Sequence, residues 1–179
     1  MGAEIFPDLP ILPVPRELCD SCRMCCRFTD PDRAPWAIRG AGLPDFPASF
    51  SAPSPLHLLP PSPSADMPIW RCSALEGSGH GCRLWGGHPA DCRIYPLLVV
   101  FREGAFRIVL DPDCPFSSRE DPLFFRRHAE GFLEREWRRL TPEALAALRP
   151  FGSLEDRPHF QEILVLPPLP DPRHGPALS

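Results

Sequence analysis

The 27 prolines spread through 179 residues constrain this chain more than any other feature of it. That is about three times the usual share of roughly 5%. Proline lacks an amide hydrogen and holds φ near one value, so long stretches here cannot join regular helix or sheet. Hydrophobic residues make up an ordinary 43%, but the core they can build is small for the length. Small cores often need metal or covalent staples.

The chain carries eight cysteines. Four lie within eight residues, Cys19-Asp20-Ser21-Cys22-Arg23-Met24-Cys25-Cys26, and Cys72, Cys82, Cys92 and Cys114 follow. Thiols this close repel as thiolates and oxidise readily, so a metal or a metal–sulfur cluster is their usual partner. A disulfide-knitted secreted domain is the rival reading. It is disfavoured because residues 1–15 lack a basic leader and are broken by prolines, and because adjacent Cys25 and Cys26 are awkward disulfide partners. A reducing, cytoplasmic compartment is expected, where dense cysteines act as metal ligands.

The net charge of −4 argues against a nucleic-acid partner or an anionic membrane surface, and no run of eighteen apolar residues exists to cross a membrane. All 19 basic residues are Arg, with no Lys and no Asn in the chain. This reflects the codon bias of a GC-rich, bacterial genome more than any chemistry.

Three regions are expected. Residues 1–16 read as a Pro-rich arm and residues 17–149 as the cysteine domain, interrupted by a Pro/Ser-rich excursion over 30–68. Residues 150–179 form a Pro-rich tail containing one strand candidate, Gln161 to Leu166. Within the domain, the first cysteine run reads as a short helical segment from about Glu17 to Phe28. Leu97 to Phe101 and Phe106 to Leu110 are runs of strand formers around the turn signal Glu103-Gly104, which predicts a β-hairpin. The ends of an antiparallel hairpin lie side by side, so Cys92 and Cys114, just outside the two strands, are expected to be neighbours. Asp121-Pro122 reads as an N-cap and first helical residue. Phe125, Ala129, Phe132, Leu133, Trp137 and Leu140 then recur at helical spacing, with Glu134 and Arg138 one turn apart. Thr141-Pro142-Glu143 opens a second, shorter helix to about Arg149. The fold class expected is α+β: a small, irregular, metal-stabilised domain with a short hairpin, one or two C-terminal helices and Pro-rich arms. The aromatic stripe is most simply a packing face.

The spacing of Cys19, Cys22 and Cys25 lets one loop offer three sulfurs to one centre, as ferredoxin-type loops do for a 4Fe–4S cluster. Cys114-Pro115 has the form of the remote fourth ligand. The paired spacing suits tetrahedral zinc equally well. Cys25 and Cys26 leave the backbone in different directions, so Cys26 belongs to a second centre or is a buried spectator. His80 and His88 lie among the later cysteines, but with eight thiols available they read as turn residues. Asp91 and Arg93 flank Cys92, and an arginine there is either a counter-charge to a thiolate or simply solvated. Trp70 and Trp85 are expected to shield the centre with apolar surface.

Taken together, Cys-x2-Cys-x2-Cys-Cys, Arg71-Cys72-Ser73-Ala74-Leu75, Gly81-Cys82-Arg83-Leu84-Trp85, His88-Pro89-Ala90-Asp91-Cys92-Arg93-Ile94-Tyr95-Pro96 and Asp113-Cys114-Pro115 resemble the YkgJ-like cysteine-cluster family. The resemblance spans about Arg16 to Pro115 and departs from the family pattern in the long Pro/Ser excursion and in His88, where a basic residue is usual. It implies a zinc- or iron-chelating protein with Cys19, Cys22, Cys25, Cys26, Cys72, Cys82, Cys92 and Cys114 as metal ligands. An iron–sulfur cluster, 4Fe–4S in type, is favoured over zinc, with a redox or electron-transfer role and a protein redox partner. Flagellin lysine methylases share a similar cluster, but the chain is too short for a cofactor domain and no Gly-rich nucleotide loop follows a strand. The alternatives are a structural zinc module whose Pro-rich arm, Leu9 to Pro15, docks to a partner groove, and a metal chaperone or store. No catalytic constellation is evident.

Overall fold

The computed structural model describes residues 12–22, 26–29, 31, 34, 36–39, 56–63, 68–75, 81–84, 88–144 and 159–168. It is α+β and has two small lobes. In the first, β4 (Leu97–Arg102) and β5 (Ala105–Leu110) form the expected hairpin, paired from Leu97↔Leu110 to Arg102↔Ala105. Glu103 (φ 52°) and Gly104 (φ 79°) occupy its tip, the left-handed pair that a two-residue turn between twisted strands requires. The tail strand β6 (Gln161–Val165) pairs antiparallel with β5. The C-terminal segment past 150 therefore supplies a strand of the core sheet, and Leu166, at 3% exposure, is part of the core.

One face of this sheet carries Leu97, Val99, Phe106, Ile108 and Leu110, and α4 (Pro122–Arg135) packs against it. The Asp121 carboxylate accepts the amides of Leu123 and Phe124 (2.7 and 3.1 Å), which fixes the helix start as the sequence predicts. Phe125, Ala129 and Phe132 line the buried face of the helix. The helix ends at Arg135, and a 3₁₀ turn, Trp137–Arg139, carries the stripe on. Trp137 meets Phe106 edge-on at 5.0 Å and donates its indole N–H to the Pro167 carbonyl, so the tail is tied to this lobe by both a strand and a side chain. Glu134 and Arg138 pair as expected, at 2.9 Å. Residues 142–144 begin a helical turn, with Thr141 Oγ1 accepting the Ala144 amide; the rest of that expected helix lies outside the described residues.

The second lobe holds the cysteines and is assembled from far shorter pieces. Its sheet runs β1 (Arg27–Phe28), β3 (Trp70–Cys72), β2 (Leu58–Leu59). This corrects the helical reading of Glu17 to Phe28. The helix α1 stops at Cys22 (Arg16–Cys22), and Arg27 and Phe28 are extended because they pair with Arg71 and Trp70. The Pro/Ser excursion is also more than a loop. It contributes β2, the short helix α2 (Trp36–Arg39), and buried Leu56, Ala34 and Ala37.

The Pro-rich arm is corrected in the same sense. Leu12 is 2% exposed within the first core, and its amide donates to the Arg93 carbonyl at 3.1 Å. Leu12, one of the apolar side chains in the stretch offered to a partner groove, is thus buried in the protein itself; Leu9 to Ile11 lie outside the described residues.

Candidate metal centre

Cysteines from three separate segments share the second lobe. Register places the first two. Arg27 pairs with Arg71, so Cys26, one residue earlier, comes level with Cys72 at the end of the same ladder. Chain reversal places the third. After Cys72 the backbone turns, with the Leu75 amide donating to the Cys72 carbonyl, and Leu75 then bridges to Cys82. The Arg83 amide donates to the Ala74 carbonyl and closes this small loop. Cys26, Cys72 and Cys82 share one apolar cluster with Phe28, Trp70 and Leu84, so Trp70 does shield thiols with apolar surface.

Cys92 arrives on α3 (Ala90–Arg93), which the first core anchors through Ala90 and Ile94. The second lobe holds it through Asp91, whose Oδ2 accepts the Ala37 amide at 3.3 Å. The other carboxylate oxygen accepts the Cys92 amide at 3.1 Å. Arg93 donates from Nε to the His88 carbonyl, so its guanidinium is engaged by backbone beside the site and is not simply solvated. Cys114 belongs to the first core cluster instead. It lies in a turn organised by Asp111, whose carboxylate accepts the Asp113 amide and the Tyr95 hydroxyl.

Three of these sulfurs receive backbone N–H groups. The amides of Ala74 and Leu75 point at the Cys72 thiol, that of Leu84 at Cys82, and those of Phe116 and Ser117 at Cys114. Ala74 N to Cys72 Sγ is 3.4 Å. In each case a residue two positions on turns its amide back to the sulfur, and such donors favour the thiolate. Burial opposes them. It is the first cause that raises Cys72, raises Cys82 to about 11, raises Cys114, and drives Cys92 well above the ordinary cysteine range. The Asp91 carboxylate pushes Cys92 further, and neighbouring thiols push all four. The Arg83 charge acts the other way on Cys72, but burial prevails.

Cys92 is influenced by Cys26, Cys72 and Cys82, whereas Cys114 is influenced by Cys22. The hairpin ends do meet, but the helical turn of α3 carries Cys92 toward the second lobe while Cys114 stays under the first. Cys19, on α1, lies near Cys82. None of the seven described cysteines is joined in a disulfide, and among the described residues no three Cys, His, Asp or Glu side chains converge in an arrangement that would hold a metal ion. Cys25, His80 and Trp85 lie outside those residues. His88 is half-buried, and burial followed by the Arg93 charge lowers its pKa, so its imidazole is neutral.

Gly81 is a site residue that the sequence reading did not single out. Its φ is +94°, and a Cβ there would stand 2.8 Å from Asp20 Oδ1 and 3.4 Å from the Arg16 guanidinium. Only glycine lets the Cys82 segment lie this close to α1. The signal was present in the Gly-Cys pair, as a glycine beside a candidate ligand. Comparison of the chain with protein-family models, curated proteins and solved structures yields no match, so any functional reading rests on the thiols themselves.

Proposed function

We propose that this is a metal-binding cysteine-cluster protein of the YkgJ-like kind, holding iron as an iron–sulfur cluster, or zinc, through its cysteines. One observation carries the reading. Cys26, Cys72 and Cys82, from three separate segments, share one apolar cluster, and backbone amides face the Cys72, Cys82 and Cys114 thiols. Buried thiols with amide donors are chemically suited to a thiophilic metal. The metal would supply positive charge, displace the thiol protons and hold the segments together. An iron–sulfur centre would make the protein an electron carrier or redox sensor working with a protein partner.

Metal analysis with a visible spectrum on anaerobically purified protein tests this. Brown protein with stoichiometric iron and sulfide supports the cluster, and colourless protein with tightly held zinc supports the zinc version. Protein that carries neither metal, and takes up neither on reconstitution, overturns the reading.

A further inference from the structure

The segment 12–22 is fixed to the protein by side chains and not by strand pairing, and it shares its anchoring core with a buried thiol. Leu12 is 2% exposed and lies in the same apolar cluster as Cys114, which is 6% exposed. The Leu12 amide donates to the Arg93 carbonyl at 3.1 Å, and the Val14 amide turns back to the Leu12 carbonyl at 2.7 Å. The chain then enters α1, where the amides of Leu18 and Cys19 donate to the Pro15 carbonyl. Val14 and Leu18 pack, half-buried, against the cluster that holds Leu12 and Cys114. The helix has seven residues and buries none of them completely. A helix that short does not persist away from its packing surface.

We propose that residues 12–22 form a strap, latched by Leu12, that opens as a unit and admits small thiol-reactive species to Cys114. Withdrawal of Leu12 takes the buried side chain of this segment out of the core and breaks its bond to Arg93. Val14 and Leu18 are then left as half-buried anchors, and α1 lifts with them. Local openings of this kind arise where packing is sparse. The hairpin beneath is paired along its whole length, from Leu97↔Leu110 to Arg102↔Ala105, and stays closed. Cys22, at the end of the strap, is near enough to raise the Cys114 thiol, in keeping with a strap that lies over it. Cys72 is the contrast. It is buried to nearly the same extent, at 7% exposure, but it is fixed in the other lobe by pairing with Leu58. The inference is independent of the metal-binding reading, since it concerns access to a thiol and not what the thiol holds.

Two measurements on the full-length chain provide the test. Hydrogen exchange follows the Leu12 amide, whose bond to Arg93 breaks when the latch releases, and alkylation in chelator-containing buffer follows the thiols. In the wild-type chain, the Leu12 amide and the Cys114 thiol should report the same opening, at least about tenfold more frequent than opening of the β4–β5 ladder. In Leu12→Ala, Cys114 alkylation should speed up by about thirtyfold or more, the usual consequence of emptying a buried leucine, while Cys72 stays within about twofold. Equal acceleration of Cys72 and Cys114 overturns the proposal, because Leu12 is then an ordinary core residue whose loss loosens the whole chain. An unchanged Cys114 rate in Leu12→Ala overturns it too. If Leu12→Ala does not fold, the wild-type comparison decides: Cys114 opening with the Leu12 amide and ahead of the ladder supports the strap, and Cys114 opening only with the ladder overturns it.

Discussion

The two lobes are built on different principles. The sheet lobe buries Leu97, Ile108, Phe125, Phe132 and Trp137 between a three-stranded sheet and a fourteen-residue helix. The thiol lobe buries Phe28, Leu56 and three alanines with Cys72, and its strands are two or three residues long. Strands that short, over so few apolar side chains, do not sustain a sheet by themselves. One lobe is held by its apolar core. The other is a scaffold of turns and very short strands around cysteine side chains.

Four measurements would break or sharpen this contrast. The largest effect is expected from Trp137→Ala. It empties a fully buried position and removes the hydrogen bond to Pro167, for a loss of about 3–5 kcal/mol by urea denaturation. A loss below about 1 kcal/mol would show that the sheet lobe does not depend on this core.

Next comes alkaline pH, in chelator-treated protein. The Cys82 thiol titrates near 9.0 when unfolded but at about 11 in the folded chain, and Cys72, Cys92 and Cys114 are raised as well. A raised folded pKa means that the folded state holds its proton longer. The stability it contributes is therefore complete below about pH 9 and is lost as pH climbs toward about 11. The urea midpoint should fall across that window, and hydrogen exchange should show the thiol lobe loosening first. Metal affinity should move the opposite way, rising with pH as protons leave the ligands. A urea midpoint that stays level from pH 8 to 11 would contradict the burial of these sulfurs.

Gly81→Ala is expected to cost about 1–3 kcal/mol, because φ is +94° and the new methyl would meet Asp20. Its signature is local, with faster alkylation of Cys82 and unchanged exchange in β4 and β5. The smallest effect is Asp121→Ala, which removes the cap of α4 and should lower stability by about 1 kcal/mol without altering thiol reactivity. If it changed Cys72 or Cys82 reactivity, the lobes would be more tightly coupled than their separate cores imply.

The same division decides what could be read in advance. The hairpin was legible because alternation and the Glu103-Gly104 tip act over neighbouring residues. The helix α4 was legible because Asp121, Pro122 and the aromatic stripe all agree. In the thiol lobe, local signals misled. Arg27 and Phe28 continue what reads as a helical segment and become a strand only because Arg71 and Trp70, more than forty residues on, offer backbone partners. Leu12 reads as part of an exposed arm, and its burial depends on a cavity that distant residues create.

The amino-acid sequence by itself determined which atoms this protein offers for chemistry, because eight cysteines in a proline-broken chain leave few other uses for so much sulfur. It also determined the sheet lobe, where apolar periodicity and capping are properties of contiguous residues. Tertiary structure alone decided which thiol neighbours which: Cys26 beside Cys72 by register, Cys82 by a bridge and a glycine, Cys92 by a tethered helix, and Cys22 beside Cys114. Spacing along a chain controls only local reach, whereas these neighbours are set by backbone pairing and burial between segments separated by long, proline-rich stretches.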